Sequence, residues 1–432
     1  MKHKFRYAIG NNLLFRIASL NSLSVLLRVL LGFITSKLIA LFIGPSGLAI
    51  IGNFRDFFNF SQAFSTLGFN NGTVKYVAEF KNNSKKLTET LSTVFYLTLI
   101  AVVIFAILIF INANYISNLI FLNNDYSYII KYSAFILPIY ALKAILISVL
   151  NGLSKFKKVI VITIITQVVV IFVNAFLIWQ YQLQGALISI ITVEVISFLI
   201  IVFYAKNYFN YFKLISLNKV KIDHLKNLSA FSLMALFSAI TLPLIAVIIR
   251  NYIIDEIGAP EAGFWVAIQR ISSYYLMFVT TLTTLYILPR FSQLNTAEAF
   301  RKEVFDFYKT IVPIFIFGSI VIYLLRYYII KIVFSDEFEP VTDLFFWQQF
   351  GDLFKVLSIV ISYQFLAKKM VKHYIIVESL AILTIYMSSI FFIDNFGLEG
   401  VVIAHFVSYL IHFIILLFIF RKSLFSKALK FL

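Results

Sequence analysis

Basic side chains lie deep within long apolar stretches of this chain, where a lipid bilayer would not solvate them. Arg28, Arg55, Lys143, Arg270 and Lys355 each fall inside a stretch that is otherwise largely hydrophobic. At about 2.5–3.5 kcal/mol each, five such groups cost on the order of 15 kcal/mol to insert. Water, acidic partners or an anionic ligand must offset that cost. The sequence therefore predicts an internal aqueous chamber that attracts anions.

Polar residues at helical spacing accompany two of these arginines. Arg55 shares one helix face with Asn59 and Gln62, and Tyr274 follows Arg270 one turn later. A polar stripe on a spanning helix is expected to face the interior of a bundle and not lipid. We therefore include Asn59, Gln62 and Tyr274 among the candidate substrate-binding residues.

Four acidic residues are also predicted to lie inside the membrane, namely Asp56, Glu194, Asp352 and Glu378. An intramembrane carboxyl can carry protons in a transporter, and it can also neutralise a neighbouring base. Asp352 precedes Lys355 by one helical turn, so a structural ion pair is an open alternative there. Asp56, Asp352 and Glu378 are the candidates for ion coupling, with Glu378 the first to test.

No residue pattern in the sequence supports catalysis, a metal site or a cofactor. The chain has no cysteine, and its five histidines show no metal-ligand spacing. His405 and His412 are seven residues apart on one helix face, which favours hydrogen bonding between helices. There is no phosphate-binding GxxxxGK[ST] loop. We therefore predict no metal, no cofactor and no catalytic residue.

Composition identifies an integral membrane protein. Of the 432 residues 61% are hydrophobic and only 13% are charged, against about 25% charged residues in soluble domains. The apolar stretches have helical and not strand lengths, at about 20 residues each. The net charge of +17 is explained by basic cytoplasmic loops, so no nucleic-acid partner is predicted.

Twelve membrane-spanning helices fit the apolar pattern, and the longest connection between them is rich in lysine. It divides the chain into an N-terminal six-helix lobe (1–204), a basic cytoplasmic linker (205–228) and a C-terminal six-helix lobe with a short tail (229–432). The second span is expected to break at Asn70-Asn71-Gly72. Most of the 37 Lys and Arg residues fall on one side of the membrane, which predicts that both termini are cytoplasmic.

An internal repeat supports the two lobes. Leu183-Gln184-Gly185-Ala186 matches Leu398-Glu399-Gly400-Val401 at an offset of 215 residues, and Arg55 matches Arg270 at the same offset. Because each half holds an even number of spans, both halves have the same orientation. A parallel repeat of this kind places a transport site between the halves, near the midplane.

Several stretches, taken in order, resemble one family along nearly the whole chain. They are GPSGLAIIGNFRDF from Gly44, NGTVKYVAEF from Asn71, FSLMALFSAITLPLIAVIIR from Phe231, LPRFSQL from Leu288, LFFWQQFGDLFKVLSIVISYQFLAKK from Leu344 and HYIIVES from His373. The chain resembles the Wzx-type flippases for lipid-linked oligosaccharides, closest to the O-antigen and lipid III branch. Their superfamily also holds multidrug extruders and the lipid II flippase.

The resemblance implies two six-helix lobes around a V-shaped central cavity, in the bacterial inner membrane. It implies transfer of an undecaprenyl-diphosphate-linked oligosaccharide, such as an O-antigen repeat unit, from the cytoplasmic to the periplasmic leaflet by alternating access. The implied partners are this lipid and the membrane lipids, with a polysaccharide polymerase and a chain-length regulator left open. Six residues lie within the matching stretches: Arg55, Lys75, Arg250, Asp352, Lys355 and Glu378. Arg250 is thereby a further substrate-binding candidate, although its place near a predicted outer end would let it snorkel.

The family pattern is not matched everywhere. Where the branch often has an acid in the eighth span, this chain has Ile271-Ser272-Ser273, so a coupling role for an acid there is not carried over. Two other functions remain open. A multidrug or cation antiporter would share the fold, but it needs buried carboxylates more than buried bases. A membrane-embedded polymerase or ligase would need a sizeable periplasmic segment for catalysis.

Overall fold

Helices form nearly all of the ordered chain. A computed structural model describes residues 13–206, 215–221 and 223–425, and among these residues no strand occurs. The all-helical membrane fold expected from the sequence is confirmed. The predicted cytoplasmic termini and most of the lysine-rich linker lie outside the described residues.

The first part of the chain contains seven helices. They are α1 (Leu13–Phe42), α2 (Gly44–Ser65), α3 (Asn70–Phe80), α4 (Ser84–Ile111), α5 (Ala113–Phe121), α6 (Ser127–Gly152) and α7 (Phe156–Ala205). A short 3-10 turn, Leu217–Lys219, follows. The backbone amides of Ser216 and Lys221 on either side of it donate to the hydroxyls of Ser92 and Thr93 in α4, at 3.1 and 2.9 Å. The described end of the linker is therefore attached to α4.

The second part contains eight further helices. They are α8 (Asp223–Glu256), α9 (Ala259–Leu282), α10 (Leu288–Gln293), α11 (Ala297–Leu324), α12 (Arg326–Val333), α13 (Val341–Ala367), α14 (Val371–Ile419) and α15 (Arg421–Phe425). A π-helical segment, Thr283–Ile287, joins α9 to α10, and a 3-10 turn, Asp336–Phe338, precedes α13. Prolines lie inside α6, α8 and α11.

Eight helices within the described residues are long and apolar enough to span a membrane. Two of them, α7 and α14, are 50 and 49 residues long, whereas one crossing takes about 20. Each is interrupted by one non-helical residue, Gln182 in α7 and Gly397 in α14. Helices α2 and α9, which carry Arg55 and Arg270, are not among the eight. The chain is a multi-pass membrane protein, and the number of twelve spans stays a prediction.

The backbone repeats the same special conformations at the offset found in the sequence. The two interruptions, Gln182 (φ 47°) and Gly397 (φ 58°), are 215 residues apart. So are Ser154 (φ 59°) and Lys369 (φ 54°), the left-handed residues that precede α7 and α14. Because left-handed φ values are uncommon outside glycine, this agreement extends the internal repeat from sequence to backbone geometry.

The break after the second span lies earlier than predicted. Helix α2 ends at Ser65, and the chain turns through Leu67 (φ 51°) and Gly68 (φ 64°) before α3 begins at Asn70. The prediction at Asn70-Asn71-Gly72 was therefore wrong by a few residues. Glycine at position 68 allows the left-handed turn, whereas Gly72 lies buried within α3.

The chain forms two compact units. One contains Phe58–Ser232 together with the part of the chain before Ile39, and the other contains Ile39–Phe57 and Leu233–Leu432. The hydrophobic core of the first unit is built by α3, α4 and α6. The second has an aromatic core on α10, α11 and α13 in which Phe300 packs on Phe291 and Phe420, with ring centroids 5.0 and 5.8 Å apart. The predicted boundaries at 204 and 229 stay a prediction.

Candidate anion-binding site

Arg55 lies on the open face of α2. Its side chain and that of Asn59 are exposed, whereas the aromatic rings of Phe54, Phe57 and Phe58 on the same helix are buried. The polar stripe predicted from helical spacing is therefore the accessible side of this helix near Arg55. No ion pair of Arg55 occurs within the described ranges, so its guanidinium is available to a ligand.

Arg270 is brought near Arg55 by close packing of α9 against the start of α2. Gly263 of α9 lies so near Pro45 that an added Cβ atom would be 1.9 Å from the Pro45 carbonyl oxygen. Arg270, only 8% exposed, is within electrostatic range of Arg55 and of Tyr274. Small residues at such contacts let membrane helices approach closely. The two arginines related by the repeat thus occupy one site in the second unit.

Arg250 has a different position from the one predicted. It is only 2% exposed, and its guanidinium donates to Asn53 Oδ1 at 2.7 Å and to Asp56 Oδ2 at 2.8 Å. The same group lies 5.5 Å from the ring of Trp265. The expectation that Arg250 snorkels to an outer interface is wrong, because α8 continues to Glu256 and this arginine faces α2 within the protein. Asp56 neutralises it.

The second unit therefore contains a cluster of three arginines with one paired carboxylate. Arg270 is within electrostatic range of both Arg55 and Arg250, and Asp56 is bonded to Arg250. We call Arg55, Arg250, Arg270 and Asp56 the arginine cluster. Its charge remains positive after the pairing, with Arg55 exposed. Arg28, a fifth basic candidate, is exposed on α1, where the described residues give it no ion pair.

In the first unit, Lys143 is bound by an acid. Its ammonium contacts Glu194, whose other carboxylate oxygen accepts from Gln62 Nε2 at 3.0 Å. The ammonium also lies 4.8 Å from the ring of Tyr140. The alternative of a structural ion pair is thus the arrangement found for Lys143, and the predicted site residue Gln62 belongs to the same network.

Lys355 is the counterpart of Lys143 in the repeat, and it lacks such an acid. The residue 215 positions after Glu194 is Tyr409, and the Lys355 ammonium lies 5.1 Å from its ring. Lys355 forms no ion pair with the acids of the described residues. The open alternative of a direct pair with Asp352 is therefore not the arrangement found.

Asp352 is instead the centre of a buried hydrogen-bond network between α9, α13 and α14. The carboxylate is 0% exposed; it accepts from Ser272 at 2.5 Å and from Tyr275, and it lies 3.0 Å from His405 Nε2. The prediction that His405 bonds between helices is confirmed. The serine that replaces the family's acid in the eighth span thus serves the acid of a neighbouring helix.

Glu378 lines a cavity of about 340 Å³ inside the second unit. Its carboxylate accepts from Ser238 at 3.2 Å, and the same hydroxyl lies 2.5 Å from that of Tyr374. Lys355 and Tyr409 are also part of the wall. Of the three coupling candidates, Glu378 is therefore the one that lines a cavity, whereas Asp56 and Asp352 are held by internal partners.

Several residues of these sites were missed by reasoning from the sequence. Trp265 and Asn53 hold Arg250, and Ser238 holds Glu378. Asn53 precedes Asp56 by three residues and so shares a helix face with it, which was a usable signal. Trp265 and Ser238 lie on other helices, so helical spacing could not associate them with their partners.

Known proteins share this sequence over most of its length. The family model described as polysaccharide biosynthesis protein matches residues 14–295. The chain is 27% identical over 399 residues to the lipid III flippase of Escherichia coli (strain K12), which covers 90% of this chain and 94% of the relative. The lipid III flippase of Shigella flexneri matches with the same identity and coverage. The resemblance to oligosaccharide flippases is confirmed.

Solved structures share the fold. An inward-facing multidrug resistance MATE family transporter of the MOP superfamily matches with a TM-score of 0.75 and 14% identity, covering 93% of this chain and 96% of that chain. The lipid II flippase MurJ in an inward closed conformation matches with a TM-score of 0.67 and 17% identity, covering 94% and 87%. These identities show the fold alone. Because the family model covers more than half of its residues, the chain belongs to the polysaccharide biosynthesis protein family.

Proposed function

We propose that this protein is a flippase that moves an undecaprenyl-diphosphate-linked oligosaccharide across the bacterial inner membrane by alternating access. The observation that carries the proposal is the arginine cluster, in which Arg55 is exposed near Arg270 while Arg250 is neutralised by Asp56. The named activity of the curated relatives supports the same class of cargo. An O-antigen repeat unit and the enterobacterial lipid III glycan are both within that class.

The arginine cluster fits the diphosphate of such a lipid. Phosphate in the bilayer interior is costly unless cations and water solvate it. Guanidinium groups bind phosphate oxygens through paired N–H donors, and they stay charged in a partly buried site. Arg55 supplies the exposed donor, and Arg270 adds positive charge nearby. The acyl chain would remain in lipid during transfer.

The competing functions are less consistent with these charges. A cation antiporter needs an accessible carboxylate, yet Asp56 and Asp352 are each bonded to internal partners. A polymerase or ligase needs a catalytic segment outside the membrane, and the described residues beyond the apolar helices form only short helices and turns. We therefore infer a transporter and not an enzyme. A polymerase and a chain-length regulator as docking partners stay a prediction.

Both termini are proposed to lie in the cytoplasm, on the basis of the Lys and Arg distribution. Because the chain has no cysteine, single cysteines introduced at Lys372 and Glu337 report the topology without background. We expect a membrane-impermeant maleimide applied to spheroplasts to label the Glu337→Cys variant and not the Lys372→Cys variant. The opposite labelling pattern would reverse the proposed orientation.

The function is tested by reconstitution. Purified protein in proteoliposomes is given a fluorescent undecaprenyl-diphosphate-linked oligosaccharide, and its appearance in the opposite leaflet is measured by chemical quenching. We expect transfer well above that of protein-free liposomes. Export of a cationic dye under a proton gradient, without lipid transfer, would instead identify a drug antiporter.

A further inference from the structure

The cavity lined by Glu378 has no role in the binding of diphosphate by the arginine cluster. It lies between α8, α13 and α14, and its volume of about 340 Å³ falls in the range of small-molecule sites, about 300–1,000 Å³. That is an order of magnitude more space than a single water or ion requires. The cavity therefore has room for an organic group.

One basic and one acidic side chain share this cavity without forming a salt bridge. Lys355 projects from α13 and contacts the ring of Tyr409, whereas Glu378 projects from α14 and is bonded to Ser238. Each charge is held by a neutral hydroxyl or ring, and none of the ion pairs within the described residues joins the two. A group placed between them would meet a donor on one side and an acceptor on the other.

A bare metal cation does not fit this pair well. The ammonium of Lys355 repels a cation bound at Glu378, and that repulsion is strong in a low-dielectric site. A free anion is disfavoured in the same way by Glu378. The favoured occupant is a neutral group, or one bearing both charges, that offers donors and acceptors together.

The remaining wall is composed of rings and hydroxyls. The aromatic side chains are Tyr363, Tyr374, Tyr409 and His412, and the serines are Ser358, Ser362 and Ser408. A sugar ring has apolar C–H faces that pack on aromatic rings, and its hydroxyls both donate and accept. Apolar and aromatic walls with a few placed polar groups are typical of small-ligand sites.

We propose that this cavity binds one sugar residue of the lipid-linked glycan, with Glu378 accepting from its hydroxyls and Lys355 donating to its oxygen atoms. This inference rests on the proposed function, and it assigns the recognition of the glycan to a place other than the arginine cluster. The diphosphate would be bound by arginines, and the identity of the sugar would be read by this cavity, which we call the sugar cavity.

The test compares lipids that differ only in the sugar. Dissociation constants of the purified protein in detergent are measured for undecaprenyl diphosphate alone and for its glucose, N-acetylglucosamine and glucuronate derivatives. We expect at least one derivative to bind ten-fold more tightly than the sugar-free lipid. The Glu378→Gln and Ser362→Trp variants should lose that preference and still bind the sugar-free lipid, whereas Lys372→Met, an exposed position on α14, should retain it.

A second measurement does not depend on these variants binding lipid. In a Ser362→Cys variant, the preferred glycolipid should slow maleimide labelling at least five-fold, and the sugar-free lipid should not. A Lys372→Cys variant is the control and should be labelled at one rate throughout.

The results separate failure of the inference from failure of the function. If the wild-type protein binds the sugar-free lipid and its three derivatives equally, or if the cavity variants weaken all of them alike, the inference is wrong and the proposed function survives. Labelling at Ser362→Cys that responds to sodium or pH and not to sugar would show a coupling site. No binding of any of these lipids would contradict the proposed function itself.

Discussion

Two arginines of similar sequence context differ in the partners that they have. Arg55 and Arg250 both lie within apolar helices, and both belong to stretches that resemble oligosaccharide flippases. In the folded chain Arg250 is enclosed by Asn53, Asp56 and Trp265, whereas Arg55 is exposed. The first is a structural charge and the second is a binding group. Sequence could not distinguish them, since their partners come from other helices.

Removing Asp56 should destabilise the protein, because Arg250 would remain buried without its counter-charge. An Asp56→Ala variant is expected to lose about 3–5 kcal/mol of unfolding free energy, measured by denaturant titration in detergent. The double variant Asp56→Ala, Arg250→Met should recover most of that loss. The matched control is Glu303→Ala, which breaks a pair with the half-exposed Arg290 and should cost about 0–1 kcal/mol. A single variant as stable as the control would show that Arg250 does not need this pair.

Helices position the arginine cluster through close backbone contacts. Gly52 of α2 lies against Arg250 of α8 and Val266 of α9, and an added Cβ would be 2.9 Å from Val266 Cγ2. Gly263 makes the still closer contact with Pro45. Glycines at these contacts set how near α2 comes to α9. The distance between Arg55 and Arg270 depends on them.

A methyl group at Gly263 should therefore disturb the arginine cluster. Its Cβ would lie 1.9 Å from a backbone oxygen, and a backbone cannot rotate away as a side chain can. We expect Gly263→Ala to lower the unfolding free energy by about 1–3 kcal/mol and to reduce lipid transfer at least ten-fold. Gly318→Ala on α11 is the control, because nothing lies within 4 Å of its added Cβ. Equal transfer by the two variants would contradict the role of this contact.

The internal repeat preserves backbone geometry better than it preserves side chains. The left-handed residues before α7 and α14 and the interruptions within these helices recur at one offset. The lysine sites have diverged, because Lys143 contacts Glu194 whereas Lys355 contacts Tyr409. This divergence leaves Lys355 without an acid in the sugar cavity. The two units thus have one backbone pattern and different polar interiors.

At the scale of the whole molecule, local sequence signals were sufficient for the elements and insufficient for the pairings. Hydrophobic length located the helices, and a shared offset of 215 residues located the repeat. The break after α2 was misplaced, because Asn-Asn-Gly is a strong turn signal that here begins a helix. The burial of Arg250 and the cavity beside Glu378 result from contacts between helices far apart in the chain. No spacing rule within one helix reports such contacts.

The central claim is that exposed positive charge within the membrane helices binds the diphosphate of a lipid. The most direct measurement is the dissociation constant of undecaprenyl diphosphate for the wild-type protein, for Arg55→Ala and for the surface control Arg290→Ala. A lost charge-assisted hydrogen bond of about 1.5–3 kcal/mol corresponds to roughly ten-fold to 100-fold weaker binding. We predict that loss for Arg55→Ala and wild-type affinity for Arg290→Ala. Wild-type affinity in the Arg55→Ala variant would contradict the claim.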